Sequence, residues 1–285
     1  LQDRNLPAYL SDKSAKESID ISEELLCKWH GRGRQLYAVT PRFAPTSTPE
    51  QLQLAGELYQ RYIGKGVYMH THLDESEDEI KWVNSLFPDA RTYTDVYRHY
   101  GLVGPRSVFA HCCIVKEEEW QQLHQSDCAA AHCPSSNLFL GDGEFRYWEA
   151  KSPSHPCRLG VATDVGGGTN FSILRQLGEA YKVAMLGGHN LDAVRSFYLA
   201  TLGGAEALHL DDRIGSLRIG NEADVTVLDL KCNDLIEWRM QFADDLFAKL
   251  FVMQTLGPDR AVRATYVAGR KVYDRDSDEP FSYAK

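Results

Sequence analysis

Three scarcities in this sequence each exclude a class of protein. No stretch approaches the roughly 18 uncharged apolar residues that a membrane-spanning helix needs. The opening LQDRNLPAYL has neither a basic region nor an apolar signal segment. Basic charge is also short: 31 Lys and Arg against 40 Asp and Glu leave a net charge of −9, so no basic face is on hand to neutralise a phosphate backbone. Neither nucleic acid nor a membrane is expected as a partner. The seven cysteines, Cys27, Cys112, Cys113, Cys128, Cys133, Cys157 and Cys232, are odd in number and lack any C-x-x-C spacing. That favours reduced thiols in a cytoplasmic protein over a disulfide framework. Internal repeats, low-complexity tracts and long linkers are missing too. There is no initiator Met, and the first segment starts in mid-pattern, so residues upstream are expected to exist.

What is present is an ordinary globular composition, 43% hydrophobic and 25% charged over 285 residues. That length suits one large α/β barrel or two medium domains. Leu25, Leu26 and Trp29 mark a first helix, and Gln35 to Val39 read as a strand followed by the turn Pro41-Arg42-Phe43. Thr48-Pro49 supplies a cap and a first-turn proline, with Leu52, Ala55, Tyr59 and Tyr62 at helical spacing behind them. Val67 to Leu73 reads as a buried strand on which Tyr68, His70 and His72 share one face. The alternation continues with a helix over about 75–87, a strand at 108–111, a helix at 116–125 and a strand at 128–132. A strand at 158–164 is closed by three glycines, and helices follow at about 172–186 and 192–208. Strands alternating with helices imply a parallel sheet. Beyond residue 212 the texture becomes β-rich, with a strand within 223–229 and a hairpin over 262–273 centred on Ala268-Gly269.

Three strand ends carry chemistry. His70-Thr71-His72 places two imidazoles on one face, with the carboxylate of Glu75 three residues on. Borderline metals such as Zn²⁺ take neutral imidazole nitrogens, and a nearby carboxylate can move protons to and from an activated water. His111 ends a second strand, and Asp164 ends a third, ahead of glycines that let the backbone approach closely. Each has a plain alternative: hydrogen-bonded rim or core histidines, satisfied polarity at His111, turn chemistry at Asp164. Their joint placement at the C-terminal ends of strands, where barrel active sites lie, favours a site.

In that order, His72-Leu-Asp-Glu75, Ala110-His111, His132-Cys-Pro-Ser-Ser-Asn137, Thr163-Asp164 and Gly215 to Asp224 resemble the amidohydrolase superfamily. Within it, Tyr37 to Phe43, Ser135 to Gly141 and Thr163 to Thr169 resemble the guanine deaminases. The resemblance spans nearly the whole chain. It implies an α/β fold, a (β/α)8 TIM-type barrel incomplete at its N-terminus over residues 1–213, with a small β-rich domain over 214–285. It implies zinc, or iron in its place, one ion per subunit, with His72 and Asp164 as ligands, Glu75 as proton shuttle and His111 holding or polarising the attacking water. Arg42 and the Phe43 backbone would grip a purine, guanine, converted to xanthine and ammonia by a homodimeric enzyme of purine catabolism. For Arg42, a planar donor fork suits a purine edge, and a solvated turn residue is the equal alternative. His70 would orient His72 or line the pocket, His132 would be structural or pocket-lining, and Cys112 and Cys113 would pack. The superfamily carries a further His-x-His pair on an upstream strand, and none precedes residue 38 here. The chain is therefore expected to be the C-terminal three-quarters or so of an enzyme, with unpaired edges or exposed apolar surface in its β-rich part. Two other readings stay open: another amidohydrolase acting on a pterin, triazine or adenosine derivative, and a non-catalytic binding fragment.

Overall fold

Short polar side chains set the helix starts. In the computed structural model, which describes residues 1–277, Ser14, Thr48, Ser76, Thr92, Ser172, Asp192, Asn233 and Asp245 each accept a hydrogen bond from the backbone N–H three residues on. Each such cap stabilises its helix by about 1 kcal/mol. Backbone contacts divide the chain into two units, Leu1–Thr169 and Asn170 onward.

The first unit holds a five-stranded parallel sheet: β1 (Ala38–Val39), β2 (Tyr68–Leu73), β3 (Ser107–His111), β4 (Ala129–His132) and β5 (Arg158–Val161), in that spatial order. The order never reverses, as a barrel winding in one direction requires and a doubly wound open sheet does not permit. The α/β barrel class expected from the sequence is what the sheet and its helices show. Along β2, Met69, Thr71 and Leu73 have no exposed surface, whereas His70 and His72 on the other face are only half-buried. Leu52, Leu58 and Tyr59 of the helix Pro49–Tyr62, and Trp120 and Leu123 of the helix Glu117–Gln125, are fully buried in the same unit. Each large apolar side chain so buried contributes about 1.5–3 kcal/mol.

The second unit packs the helices Ile173–Leu186, Ala193–Ala200, Leu202–Ala207, Asp234–Met240 and Leu246–Leu256 with the antiparallel strands β6 (Val225–Leu228), β7 (Val262–Val267) and β8 (Arg270–Asp274). Its core cluster is Leu174, Ile236, Val252, Met253 and Ala261, with Phe197, Leu228, Cys232 and Met240 packed against it. The expected hairpin is present, with Ala268 and Gly269 both at positive φ (49° and 77°), the pair of left-handed residues a type I′ turn demands. Among the described residues, β6 and β8 each pair on one side only, and Val227 and Val272 are exposed. No helix among the described residues is long and apolar enough to cross a membrane.

Some elements differ from expectation. The strand read over 35–39 is only Ala38–Val39, because the Tyr37 amide donates to the His30 ring (3.1 Å) and the Gln35 carbonyl accepts from Gly31 (2.9 Å), closing a local loop. The helix read over 192–208 breaks at Thr201, whose hydroxyl donates to the Phe197 carbonyl (2.7 Å). The helix Leu246–Leu256 shows no 3.6-residue pattern in the sequence, because apolar residues lie on nearly all its sides.

Candidate metal-dependent active site

The strands β2 and β3 end side by side, with Leu73 paired to His111. Just past their ends the backbone turns sharply through left-handed conformations: Asp74 (φ 48°), His111 and Cys112 (72° and 53°) and, beyond β5, Asp164 (46°). A non-glycine residue in that region costs about 1–3 kcal/mol and persists where the surroundings hold it, commonly at functional sites. The turns bring the His72 and His111 rings into a stack, centroids 4.9 Å apart and 29° between planes.

The hydrogen bonds fix what each ring offers. His72 Nδ1 lies 2.7 Å from the Arg42 carbonyl, which can only accept, so Nδ1 carries the proton and Nε2 keeps its lone pair. Burial, reinforced by the neighbouring His111, pushes the His72 pKa down to about 4, so the ring is neutral at pH 7. His111 places Nδ1 2.8 Å from Asn137 Oδ1 and 3.3 Å from Glu75 Oε1. Its side chain is wholly buried, and its Nε2 has no hydrogen-bond partner. A buried polar atom left so costs about 1–3 kcal/mol. Burial first, and then the carboxylates of Asp142 and Glu79, push Glu75 up to about 8, with a smaller push from Asp164. One ligand atom each from His72, Glu75 and His111 lies within 4.8 Å of the others, a grouping that could hold a metal ion.

Asp164 lies outside that tight group, though its charge acts on the same pocket, raising the pKa of Glu75 and opposing the fall at His70. The glycine turn after it does allow close approach: a Cβ on Gly167 would stand 2.5 Å from Ser136 Oγ and 2.9 Å from Asp164 Oδ2. His70 is half-buried beside the group, its pKa lowered by burial and by His111. His132 is buried with its ring stacked on Phe145 (4.4 Å), its pKa pushed down to about 3 by burial. Cys112 and Cys113 are buried thiols with pKa values raised by burial. The exposed Arg42 guanidinium sits 4.9 Å over the Phe43 ring, which in turn lies 5.8 Å from His72 and 5.9 Å from Trp82. Sequence reasoning assigned no role to Asn137, the partner of His111, or to Asp142, whose carboxylate helps to raise the Glu75 pKa. Asn137 lies in a motif already singled out, whereas nothing local marks Asp142.

The profile of the amidohydrolase family matches residues 3–272. The chain is 48% identical over 279 residues to the guanine deaminase of Escherichia coli (strain K12), a match covering 97% of this chain and 62% of that protein. The solved structure of E. coli guanine deaminase superposes with a TM-score of 0.93 over 97% of this chain and 64% of that one. That of the guanine deaminase from C. acetobutylicum with bound guanine in the active site does so at 0.83, with 27% identity, over 95% of this chain and 64% of that one. The chain thus spans about three-fifths of the length of the curated relatives it matches.

Proposed function

Because the chain belongs to the amidohydrolase family, we propose that it is the portion of a guanine deaminase that carries the proton-transfer and purine-binding residues, converting guanine and water to xanthine and ammonia. The observation that carries this reading is the convergence of His72, Glu75 and His111, in a chain that resembles guanine deaminases along 97% of its length. The residues fit a divalent metal. His72 is a neutral imidazole whose Nε2 is freed by the bond its other nitrogen makes, and His111 Nε2 is a buried polar atom without a hydrogen-bond partner. Those donors, with carboxylate oxygens beside them, suit zinc, with iron as an alternative. His72 and Asp164 would hold the ion, one per subunit. Once bound, it would supply Lewis-acid activation of water near neutral pH.

The remaining steps belong to the protein. Glu75, poised near neutrality, takes a proton from the attacking water and returns it to the purine. His111 orients that water, and Asp164 assists in moving the second proton, so that the C2–N bond breaks and ammonia leaves. Arg42 and Phe43 hold the purine, the guanidinium addressing ring acceptors from its place over the Phe43 face. A barrel over 1–213, a β-rich domain over 214–285, a homodimer and a cytoplasmic setting belong to the same proposal. The setting is supported by five cysteines buried as free thiols.

The test follows ammonia and xanthine when the longest native form of the protein meets guanine, adenine or cytosine, before and after chelation. Guanine turnover lost to chelator and restored by zinc is expected. Turnover of adenine but not guanine would reject the substrate, and an enzyme indifferent to chelator and free of metal would reject the class.

A further inference from the structure

On the buried face of β2, opposite the pocket, a chain of hydroxyls runs behind the site. The Thr71 hydroxyl donates to the Arg42 carbonyl (3.1 Å), the same oxygen that fixes His72 Nδ1. The Tyr97 hydroxyl lies 3.1 Å from that of Thr71, donates to the His72 carbonyl (2.9 Å) and accepts from the Ala44 amide (3.0 Å). Tyr93 stands 3.0 Å from Tyr97 and donates to Glu79 Oε1 (3.0 Å), while Glu79 Oε2 accepts from the Glu75 amide (2.8 Å). Thr71 and Tyr97 have no exposed surface, Tyr93 only 3% and Glu79 7%. Four side chains, none of them facing the pocket, therefore grip the backbone of Arg42, Ala44, His72 and Glu75 at once.

We propose that Thr71, Tyr97, Tyr93 and Glu79 act as positioning residues: from one buried point they set the His72 tautomer and the placement of Glu75, and with them the pocket's readiness for metal and purine. This rests on the reading of His72 and Glu75 given above. Ties of this kind are strong because the four side chains that make them are buried, where a lost partner is not readily replaced by water. They are also specific. Thr71 and His72 both use one carbonyl, so a shift of Tyr97 reaches the imidazole through a single atom.

The test compares Tyr97→Phe with Tyr59→Phe in this chain. Tyr59 is equally buried, but its hydroxyl bonds to Pro105 and Ser107, away from the pocket. Histidine ¹⁵N–¹H correlation spectra of the metal-free chain at neutral pH report the His72 tautomer directly. Tyr97→Phe is expected to move His72 from the Nδ1–H form to a mixture and to weaken zinc binding about 10–100-fold, the usual effect of losing an outer partner of a ligand. Tyr59→Phe is expected to lower thermal stability and leave both readouts unchanged. An unaltered His72 spectrum in Tyr97→Phe, or equal shifts in the two variants, overturns the proposal. If Tyr97→Phe does not fold, Thr71→Val, which removes only the hydroxyl on the Arg42 carbonyl, carries the same test. A wild-type chain that shows the Nδ1–H tautomer but binds no zinc counts against the metal reading, and the spectra still decide the positioning role.

Discussion

Among the described residues, eighteen buried polar or charged side chains lie in residues 1–169 and three in residues 170–277, whereas ten large exposed hydrophobics lie in the first stretch and nineteen in the second. The two units are stabilised differently. A buried polar group costs free energy unless it is bonded, so the first unit commits its interior to a hydrogen-bonded arrangement that has few alternatives. The second relies on the apolar cluster around Met253 and Val252 and leaves much apolar surface wet, including Leu217 (87% exposed) and Ile219 (fully exposed). Deleting a single polar atom should therefore be felt in the first unit, and deleting volume in the second.

The hardest test of that contrast is Asp164→Ala in the longest native form of the protein, where the proposed function expects loss of both bound metal and guanine turnover, read by metal analysis and xanthine absorbance. Retention of stoichiometric metal would remove Asp164 from the ligand set. Glu75→Gln changes one atom and should leave metal in place while lowering kcat roughly 10²–10⁴-fold; full activity would end the proton-shuttle role. In the second unit Met253→Ala should destabilise by about 2–5 kcal/mol in denaturant unfolding, with the His72 spectrum unchanged. Acid sharpens the contrast further. His72 and His132 have folded pKa values pushed below the unfolded value, to about 4 and about 3, so their stabilising share is present above pH 6.5 and is lost as pH falls toward those values. Each contributes at most about 1.4 kcal/mol per pH unit. His132→Gln should accordingly flatten the stability loss of the metal-free chain between pH 6.5 and 4, and an unchanged slope would mean that His132 does not carry it. The smallest effect is expected at Leu217→Ser, within about 0.5 kcal/mol in folding stability.

Much of both units was legible from the letters. In the first, the cap at Thr48 and the alternation that puts His70 and His72 on one face of β2, and in the second the hairpin at Ala268-Gly269, each depend on residues within a few positions of one another. The helix Leu246–Leu256 was not legible, because an element without a polar stripe shows no period. The interaction of Asp142 with Glu75 was not legible either, since it joins residues far apart in sequence with no motif between them.

By itself the sequence determined which residue types stand at the strand ends and which face they share, since strand pleating and capping are local physics. Only the tertiary structure decided which of them meet. The parallel register of β2 with β3 brings His111 within ligand distance of His72 and Glu75. The same packing removes the water that would otherwise hold His72 near its ordinary pKa, and it threads Tyr97 and Glu79 behind the site. Register and burial are set by segments dozens of residues apart, and no short stretch of the chain contains them.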